Sequence, residues 1–459
     1  MNEYTKLEPL KKLIKKSKGN LYIVGGTVRD FLLRRKTHDI DIVTEEDPSK
    51  LLKGFSFFPL DEERKIFRCI HDNLTIDVAR MQGKTIEEDL LRRDFTVNAV
   101  AYDIKRGVFI DPSGGIEDLQ EGILKAVSVK NLEEDPIRLL RAVRLWLYYP
   151  FRIHPETQKA IKELSPLIEK AAGERVKDEL FKIIAHPISY KAIRLLCELE
   201  LLERIIPELS AGKGLFQGKF CGSDLLSHLL CTYRASEILL HYLNYFFNAH
   251  PKIREIINAE IETGIKIREI LKFSALLHDI AKPQTFVIRD DEYTFWGHDK
   301  EGGKRAKLIA KRLKLSNKSA KVLGTLVENH MRLHLLARGG EITDKAKGRF
   351  FRQLKETGVV TIILSLSDSL ASSGELGFFY LLPFARQMID FYFNKFLKEE
   401  DFQKPLLSGY EIMAILNIKP GPLVGKIIKA LLDAQAEGRI KRKDEAIRFL
   451  KEEFENGEG

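Results

Sequence analysis

The 459 residues, 44% of them hydrophobic, are enough for three or four domains with real cores. No run reaches the roughly 18 apolar residues of a membrane span, and the start Met-Asn-Glu-Tyr-Thr-Lys lacks a signal-peptide apolar region, so a membrane protein is set aside and a cytoplasmic one expected. A net charge of +9, from 75 Lys and Arg against 66 Asp and Glu, points toward a polyanion partner, and Cys69, Cys197, Cys221 and Cys231 without Cys-x-x-Cys spacing favour free thiols over disulfides or a zinc ribbon.

In chain order, lysines 11, 12, 15, 16 and 18 come before an apolar, β-branched strand, Leu21–Val24. Gly25 and Gly26 follow it, where backbone without Cβ can approach a phosphate, and Arg29 would face the same anion. In the next strand, Asp39-Ile-Asp41-Ile-Val43, alternation places Asp39 and Asp41 on one face and Ile40 and Ile42 in the core. Two carboxylates on one face repel unless a cation lies between them, and hard oxygen ligands suit Mg²⁺. A second alternating segment, Leu74–Ala79, turns Leu74, Ile76 and Val78 one way and Asp77 the other, making Asp77 a candidate general base or second-metal ligand. An isolated Asp-x-Asp is also what a solvated strand edge shows, and Asp77 alone also reads as an exposed strand aspartate.

These residues together resemble class II tRNA nucleotidyltransferases, the bacterial CCA-adding and poly(A) polymerase family. Gly25-Gly-Thr-Val-Arg-Asp30 with Asp39-Ile-Asp41 is similar to the first family motif, and Arg92-Arg-Asp-Phe-Thr-Val-Asn-Ala99 to the second. Asp111–Gly115, Glu134–Arg138 and Gly173–Glu179 are similar to the third, fourth and fifth. The resemblance implies an α+β head of the DNA polymerase beta-like nucleotidyltransferase class, followed by a mostly helical neck, body and tail. It also implies that Arg93, Asp94 and Asn98 contact the sugar and triphosphate of an incoming nucleotide, that CTP, ATP and tRNA are the partners, and that Mg²⁺ serves the head.

The fourth motif also has a reading of its own. Asp135 and Arg138, three apart on a helix, are neighbours on one face, and their acceptor and donors match the Watson–Crick edge of cytosine or adenine. Such a pair would select the base without a nucleic-acid template, with Arg141 one turn on assisting. Asp135 before Pro136 is equally a good helix N-cap. Between Arg80 and Arg92 only residues 81–91 intervene, much of them helical in character. Full CCA-adding relatives carry a longer flexible loop there, so the shortened segment resembles the CC-adding branch.

Farther on, Leu271–Pro283 reads as an amphipathic helix ending in His278 and Asp279. With His228 before it and His298, His330 and Asp368 after it, the order resembles an HD-type metal phosphohydrolase domain, where imidazole and carboxylate ligands suit Mn²⁺, Ni²⁺, Fe²⁺ or Zn²⁺. Ala281 stands where that pattern usually has glycine. Near the C-terminus Lys426, Lys429, Arg439, Lys441, Arg442 and Lys443 gather in a region resembling the family's tRNA-holding tail. The expected division is a head over 1–125, a neck over 126–210, an HD-containing body over 211–397 and a tail over 398–459. Two alternatives to CC or CCA addition stay open at this point, a poly(A) polymerase and an HD-type phosphohydrolase acting on RNA ends. The oligomeric state is left open.

Overall fold

The computed structural model describes residues 1, 4, 7–63, 65–71, 74–216, 224–247, 251–289, 292–398 and 403–455. Cys221, half of the glycine-rich stretch 211–222 and four residues of the charged stretch 398–404 lie outside them. The chain divides into two compact units, residues 1–186 with 191–205, and residues 187–190 with 206–459. The segment read as the head lies in the first unit and those read as body and tail in the second, while the segment read as the neck is divided, its residues 187–190 and 206–210 falling in the second unit.

The first unit is built on a seven-stranded sheet, ordered β3-β4-β5-β2-β1-β6-β7. Its strands are β1 (Leu21–Val24), β2 (Asp39–Thr44), β3 (Phe57–Asp61), β4 (Ile66–His71), β5 (Leu74–Arg80), β6 (Ala101–Asp103) and β7 (Val108–Ile110). Only β2 and β5 run parallel, with Asp41 directly beside Asp77. The antiparallel β4–β5 pair sets Arg68 opposite Asp77. The alternation works as read: Ile40, Ile42, Ile76 and Val78 are buried in a cluster with Leu10 and Leu13 of the helix Glu8–Lys16. That helix keeps Lys11, Lys12, Lys15 and Lys16 exposed. The opposite face of the sheet, which carries the aspartates, continues into a second cluster of Tyr22, Val24, Val43, Ile86, Leu90, Ala99 and Ala101.

Helices take over after the sheet, chiefly Val129–Glu134, Ile137–Tyr148, Pro155–Glu163 and Gly173–Ala185. Two further helices, Tyr190–Glu198 and Leu201–Ile205, are parted at Glu200, where φ is 61°.

In the second unit the helix expected over 271–283 is Ile267–Leu277, and it is not amphipathic. Every residue from Glu269 to Leu277 is buried, because the helices Leu225–His241, Asn317–Asn329 and Thr357–Phe391 all pack against it. Surrounded on all sides, it has no solvent stripe to leave in the pattern. The helix Thr357–Phe391 is interrupted at Gly374 (φ 61°, ψ −150°) and contains Pro383. With its continuation to Phe396 it is long and apolar enough to cross a membrane, but 72% of its most apolar window is buried within the protein. The tail helices Gly409–Leu416, Pro422–Ala436 and Lys443–Leu450 enclose their own core of Leu407, Ile412, Ile427, Leu431 and Leu450. Asp433 ties them to Arg349 and Arg352 of the helix Asp344–Leu354. The basic residues 426, 429, 439 and 441–443 are all exposed, although Arg439, Arg442 and Lys443 are ion-paired to Glu437, Glu445 and Glu411.

Candidate active sites

A cleft of roughly 660 Å³ opens over the ends of β1, β2 and β5 and is lined by Gly25, Gly26, Arg29, Asp39, Asp41, Asp77, Arg93, Asp94, Asn98, Arg138 and Arg141. Every residue expected of the head site except Asp135 therefore borders one space. The turn that begins it depends on glycine: Gly25 has φ 64°, and a Cβ there would stand 2.9 Å from Arg93 Nη1 and 3.3 Å from Asp41 Oδ2. Arg29 is buried, donates to Asn98 Oδ1 at 2.7 Å and stacks on the Tyr149 ring, with Cζ 4.2 Å from the centroid. Asn98 in turn donates to Asp94 Oδ1 at 3.0 Å, and Arg141 Nη2 lies 3.1 Å from Asp94 Oδ2. Burial alone would raise the Asp94 carboxyl, but Arg141 and the Asn98 and Phe95 hydrogen bonds outweigh it and hold it below the usual range.

Asp41 behaves in the opposite way. Burial pushes its carboxyl up, and repulsion from Asp77 and Asp39 adds to the rise against the pull of Arg93 and Arg29. Three aspartates lining one cleft, Asp39, Asp41 and Asp77, are a donor set that fits a hard divalent ion. Asp77 already has a partner: Arg68 donates from Nε to Oδ1 at 2.8 Å and from Nη2 to Oδ2 at 2.7 Å. Among the described residues, no three oxygens of Asp39, Asp41 and Asp77 come within the 4.8 Å of one another that the HD-type ligands achieve.

Asp135 lines an adjoining cavity of roughly 330 Å³ with Glu134, Arg92, Arg93 and Arg138. The structure corrects its expected place on a helix. Asp135 lies between two helices (φ −137°, ψ 89°), Pro136 takes the N-cap position, and no side chain caps that end. The carboxylate is gripped instead by Arg175, through two hydrogen bonds of 2.9 and 2.8 Å, while Arg138 Nε stands 4.0 Å away and Arg138 Nη1 donates to Asn131 O at 2.9 Å. Asn131 Nδ2 reaches the carbonyls of Leu91 and Arg93 at 2.8 and 2.7 Å, tying this helix to the second motif.

Residues 81–91 are held at several points. Gln82 N donates to Asp89 Oδ1 at 2.8 Å and Lys84 N to Glu88 Oε2 at 2.7 Å, and Thr85 caps the helix Ile86–Leu91. The third motif is locked as firmly: Asp111 accepts from Gly115 N at 2.8 Å and Ile116 N at 2.9 Å, and a Cβ on Gly115 would meet Thr96 O at 2.1 Å.

The second unit gathers His228, His278, Asp279, His298, His330 and Asp368. His228 Nε2 stands 3.1 Å from His278 Nε2, 3.4 Å from Asp279 Oδ2 and 3.3 Å from Asp368 Oδ1. His298 and His330 approach Asp279 Oδ1 at 3.2 and 3.5 Å. The Nδ1–H groups of His278, His298 and His330 donate to the carbonyls of Ala275, Phe295 and Val327 at 3.0, 2.7 and 2.8 Å. That tautomer aims each Nε2 lone pair inward, the orientation a metal ligand needs. Nε2 of His298, His330 and His334 and Oδ1 of Asp279 are buried with no hydrogen-bond partner. Such convergent orphans fit a metal. Burial disfavours the His278 imidazolium, yet Asp279 and Asp368 push it up to about 10, so a bound cation would take the place of the proton that Nε2 otherwise carries, and both carboxyls lie well below their usual range. Ala281 is accommodated, fully buried with its Cβ near Gly302.

Two residues near this cluster carried no sequence signal for the site: His334, 3.4 Å from Asp368 Oδ2, and Lys282, paired to Asp279. His330 and His334 lie four apart, which on one helix would mark a ligand pair, but a break after Asn329 puts them on separate elements.

Family models match three stretches of the chain: the poly A polymerase head domain over residues 21–125, a probable RNA and SrmB-binding site of polymerase A over 150–213, and the HD domain over 250–373. Nucleotidyltransferase and HD families are metal-dependent, and the chain carries groups able to hold metal. The A-adding tRNA nucleotidyltransferase of Deinococcus radiodurans is 33% identical over 93% of this chain and 94% of its own length. The CC-adding enzyme of Thermus thermophilus is also 33% identical, over 93% of this chain and 92% of its own. An apo CCA-adding enzyme shares the fold with a TM-score of 0.66 over 99% of this chain and 97% of its own, at 20% identity. The Thermotoga maritima CCA-adding enzyme complexed with tRNA does so with a TM-score of 0.60 over 96% of this chain and 92% of its own, at 21% identity. Similarity of 33% over more than nine-tenths of this chain to relatives named as tRNA nucleotidyltransferases leaves one assignment: the chain belongs to the tRNA nucleotidyltransferase family.

Proposed function

We propose that the protein adds two cytidines to the 3′ end of tRNA from CTP, without a nucleic-acid template. Asp39 and Asp41 hold Mg²⁺, with Asp77 as general base or second-metal ligand. When bound, the ion activates the 3′-hydroxyl and neutralises charge that develops on the triphosphate. Arg29, Arg93 and Asn98 bind the triphosphate and sugar, Arg141 keeps Asp94 ionised and oriented, and Gly25 and Gly26 admit the phosphates close to the backbone. Asp135 accepts from the cytosine amino group and Arg138 donates to the ring nitrogen or carbonyl, so uracil, which presents an oxygen to the carboxylate, is refused. The basic tail holds the RNA. The four-part division into head, neck, body and tail and a cytoplasmic location belong to the same reading.

The observation that carries the choice of CC over CCA is the pinned 81–91 segment, since relatives named for A addition and CC addition match at the same identity. A tRNA lacking its 3′ CCA, incubated with Mg²⁺ and CTP alone or CTP with ATP, tests it. Two added nucleotides in both mixtures support the reading. A third with ATP, or a lone adenosine on tRNA already ending in CC, overturns it. Long A tails on generic RNA would indicate a poly(A) polymerase.

The orphaned ligand atoms around Asp279 favour a second activity as well, a phosphohydrolase on RNA ends loaded with Mn²⁺ or Ni²⁺. Opening of a 2′,3′-cyclic phosphate to a monoester, or release of inorganic phosphate from RNA carrying a 3′-phosphate, lost in Asp279→Ala, is the expected result.

A further inference from the structure

Across three adjacent strands, Asp41, Asp77 and Arg68 stand in register on one face, Asp41 beside Asp77 on one side and Arg68 opposite it on the other. The Arg68 fork occupies both oxygens of Asp77 at 2.8 and 2.7 Å. A guanidinium does not deprotonate and pairs with a carboxylate in a fixed bidentate geometry. It is therefore a permanent unit charge at the edge of the carboxylate group.

We propose that Arg68 is a resident counter-cation, a positioning residue that keeps Asp77 from a second divalent ion until the nucleotide triphosphate brings one. The head then binds one ion at Asp39 and Asp41 in the absence of nucleotide, and the second arrives only with phosphate oxygens to complete its shell, displacing Arg68 from Asp77. Such an arrangement keeps the site from gathering two ions with no substrate between them. Arg68 has room to leave: its side chain is 37% exposed and that of Asp77 23%. The inference rests on the reading of Asp39, Asp41 and Asp77 as the head's metal carboxylates.

The test counts Mn²⁺ bound to the full chain by electron paramagnetic resonance, with no nucleotide present. Each titration is differenced against the same chain carrying Asp39→Ala and Asp41→Ala, which removes the contribution of the HD-type cluster. The unaltered chain is expected to hold one ion at the head, and a second once a non-hydrolysable CTP analogue is added. Arg68→Gln is expected to bind Mn²⁺ about tenfold more tightly or more, as removal of one unit charge a few ångström away demands, and to take the second ion without nucleotide. Arg68→Gln combined with Asp77→Asn should lose that gain. Two head ions on the unaltered chain without nucleotide, or no tighter binding by Arg68→Gln, would overturn the role of Arg68. A zero difference against the Asp39→Ala, Asp41→Ala chain would instead overturn the metal reading on which it rests.

Discussion

The head carboxylates and the HD-type cluster are two ways of arranging aspartates for a cation. In the head, Asp39 is exposed, Asp41 and Asp77 are partly buried, and their counter-charges are arginines on neighbouring elements. In the cluster, His278, His330 and Asp279 are almost wholly buried, and most of the inward-facing atoms belong to histidines locked by backbone carbonyls. Open carboxylates with arginine neighbours suit an ion that comes and goes with a triphosphate. A closed imidazole set suits one that stays. The difference lies in what surrounds the aspartates, since the aspartates themselves are the same chemical group.

The contrast breaks first at activity. Asp39→Ala with Asp41→Ala should lower nucleotide addition by about a thousandfold or more, because the charge stabilisation withdrawn is several kcal/mol. Metal content of the cluster, read by mass spectrometry, should not change in that variant. Passage of the unaltered protein over a desalting column without added metal should leave a transition metal bound. Asp279→Ala should come off empty, and retention there would locate the metal elsewhere.

Asp135→Ala sharpens the head side. Loss of a hydrogen bond to a charged acceptor, worth about 1.5–3 kcal/mol, should cut the preference for CTP over UTP by about ten- to a hundredfold. Arg175→Ala should give part of the same loss by freeing the carboxylate. Unchanged selectivity in both would return Asp135 to a structural role. Gly115→Ala should lower stability by about 1–3 kcal/mol through the contact with Thr96 O, visible as a lower Tm.

The smallest effect is one of pH. Asp94 and Glu179 are both buried, which by itself raises a carboxyl, but Arg141 and Arg144 respectively outweigh burial and depress them. Their contribution is therefore present above the ordinary carboxylate value of about 4 and is lost as pH falls through the depressed folded values. The Tm difference between the unaltered chain and Asp94→Asn should shrink steadily below pH of about 4.

Much of the head was legible because a strand with one buried face writes its register into the sequence: Ile40, Ile42, Ile76 and Val78 point inward, so Asp39, Asp41 and Asp77 had to point outward. Arg68 was not, since its contact depends on which residue of β4 falls opposite Asp77, and alternation alone does not set that pairing. Asp135 was misplaced because Asp-Pro satisfies the rules of a helix start, whereas here Pro136 itself opens the helix and Asp135 is drawn to Arg175, forty residues on. The cluster was legible as an order of His and Asp residues, but the helix before His278 was misread, burial on every side having erased its periodicity. His334 reaches Asp368 only through tertiary packing that places the helices Arg332–Ala337 and Thr357–Phe391 together.

The second motif is woven into the core backbone: Thr96 N donates to Lys125 O at 2.9 Å, Val127 N to Asp94 O at 3.1 Å, and Gly115 sits directly beneath Thr96. The residues proposed to meet the nucleotide thus do not hang from a loop that can open by itself. In amide hydrogen exchange the protons of Thr96, Gly115, Ile116 and Val127 should become accessible only in the event that opens the central strands. Partial unfolding would spare the site or erase it altogether, with no half-assembled pocket able to attach the wrong nucleotide.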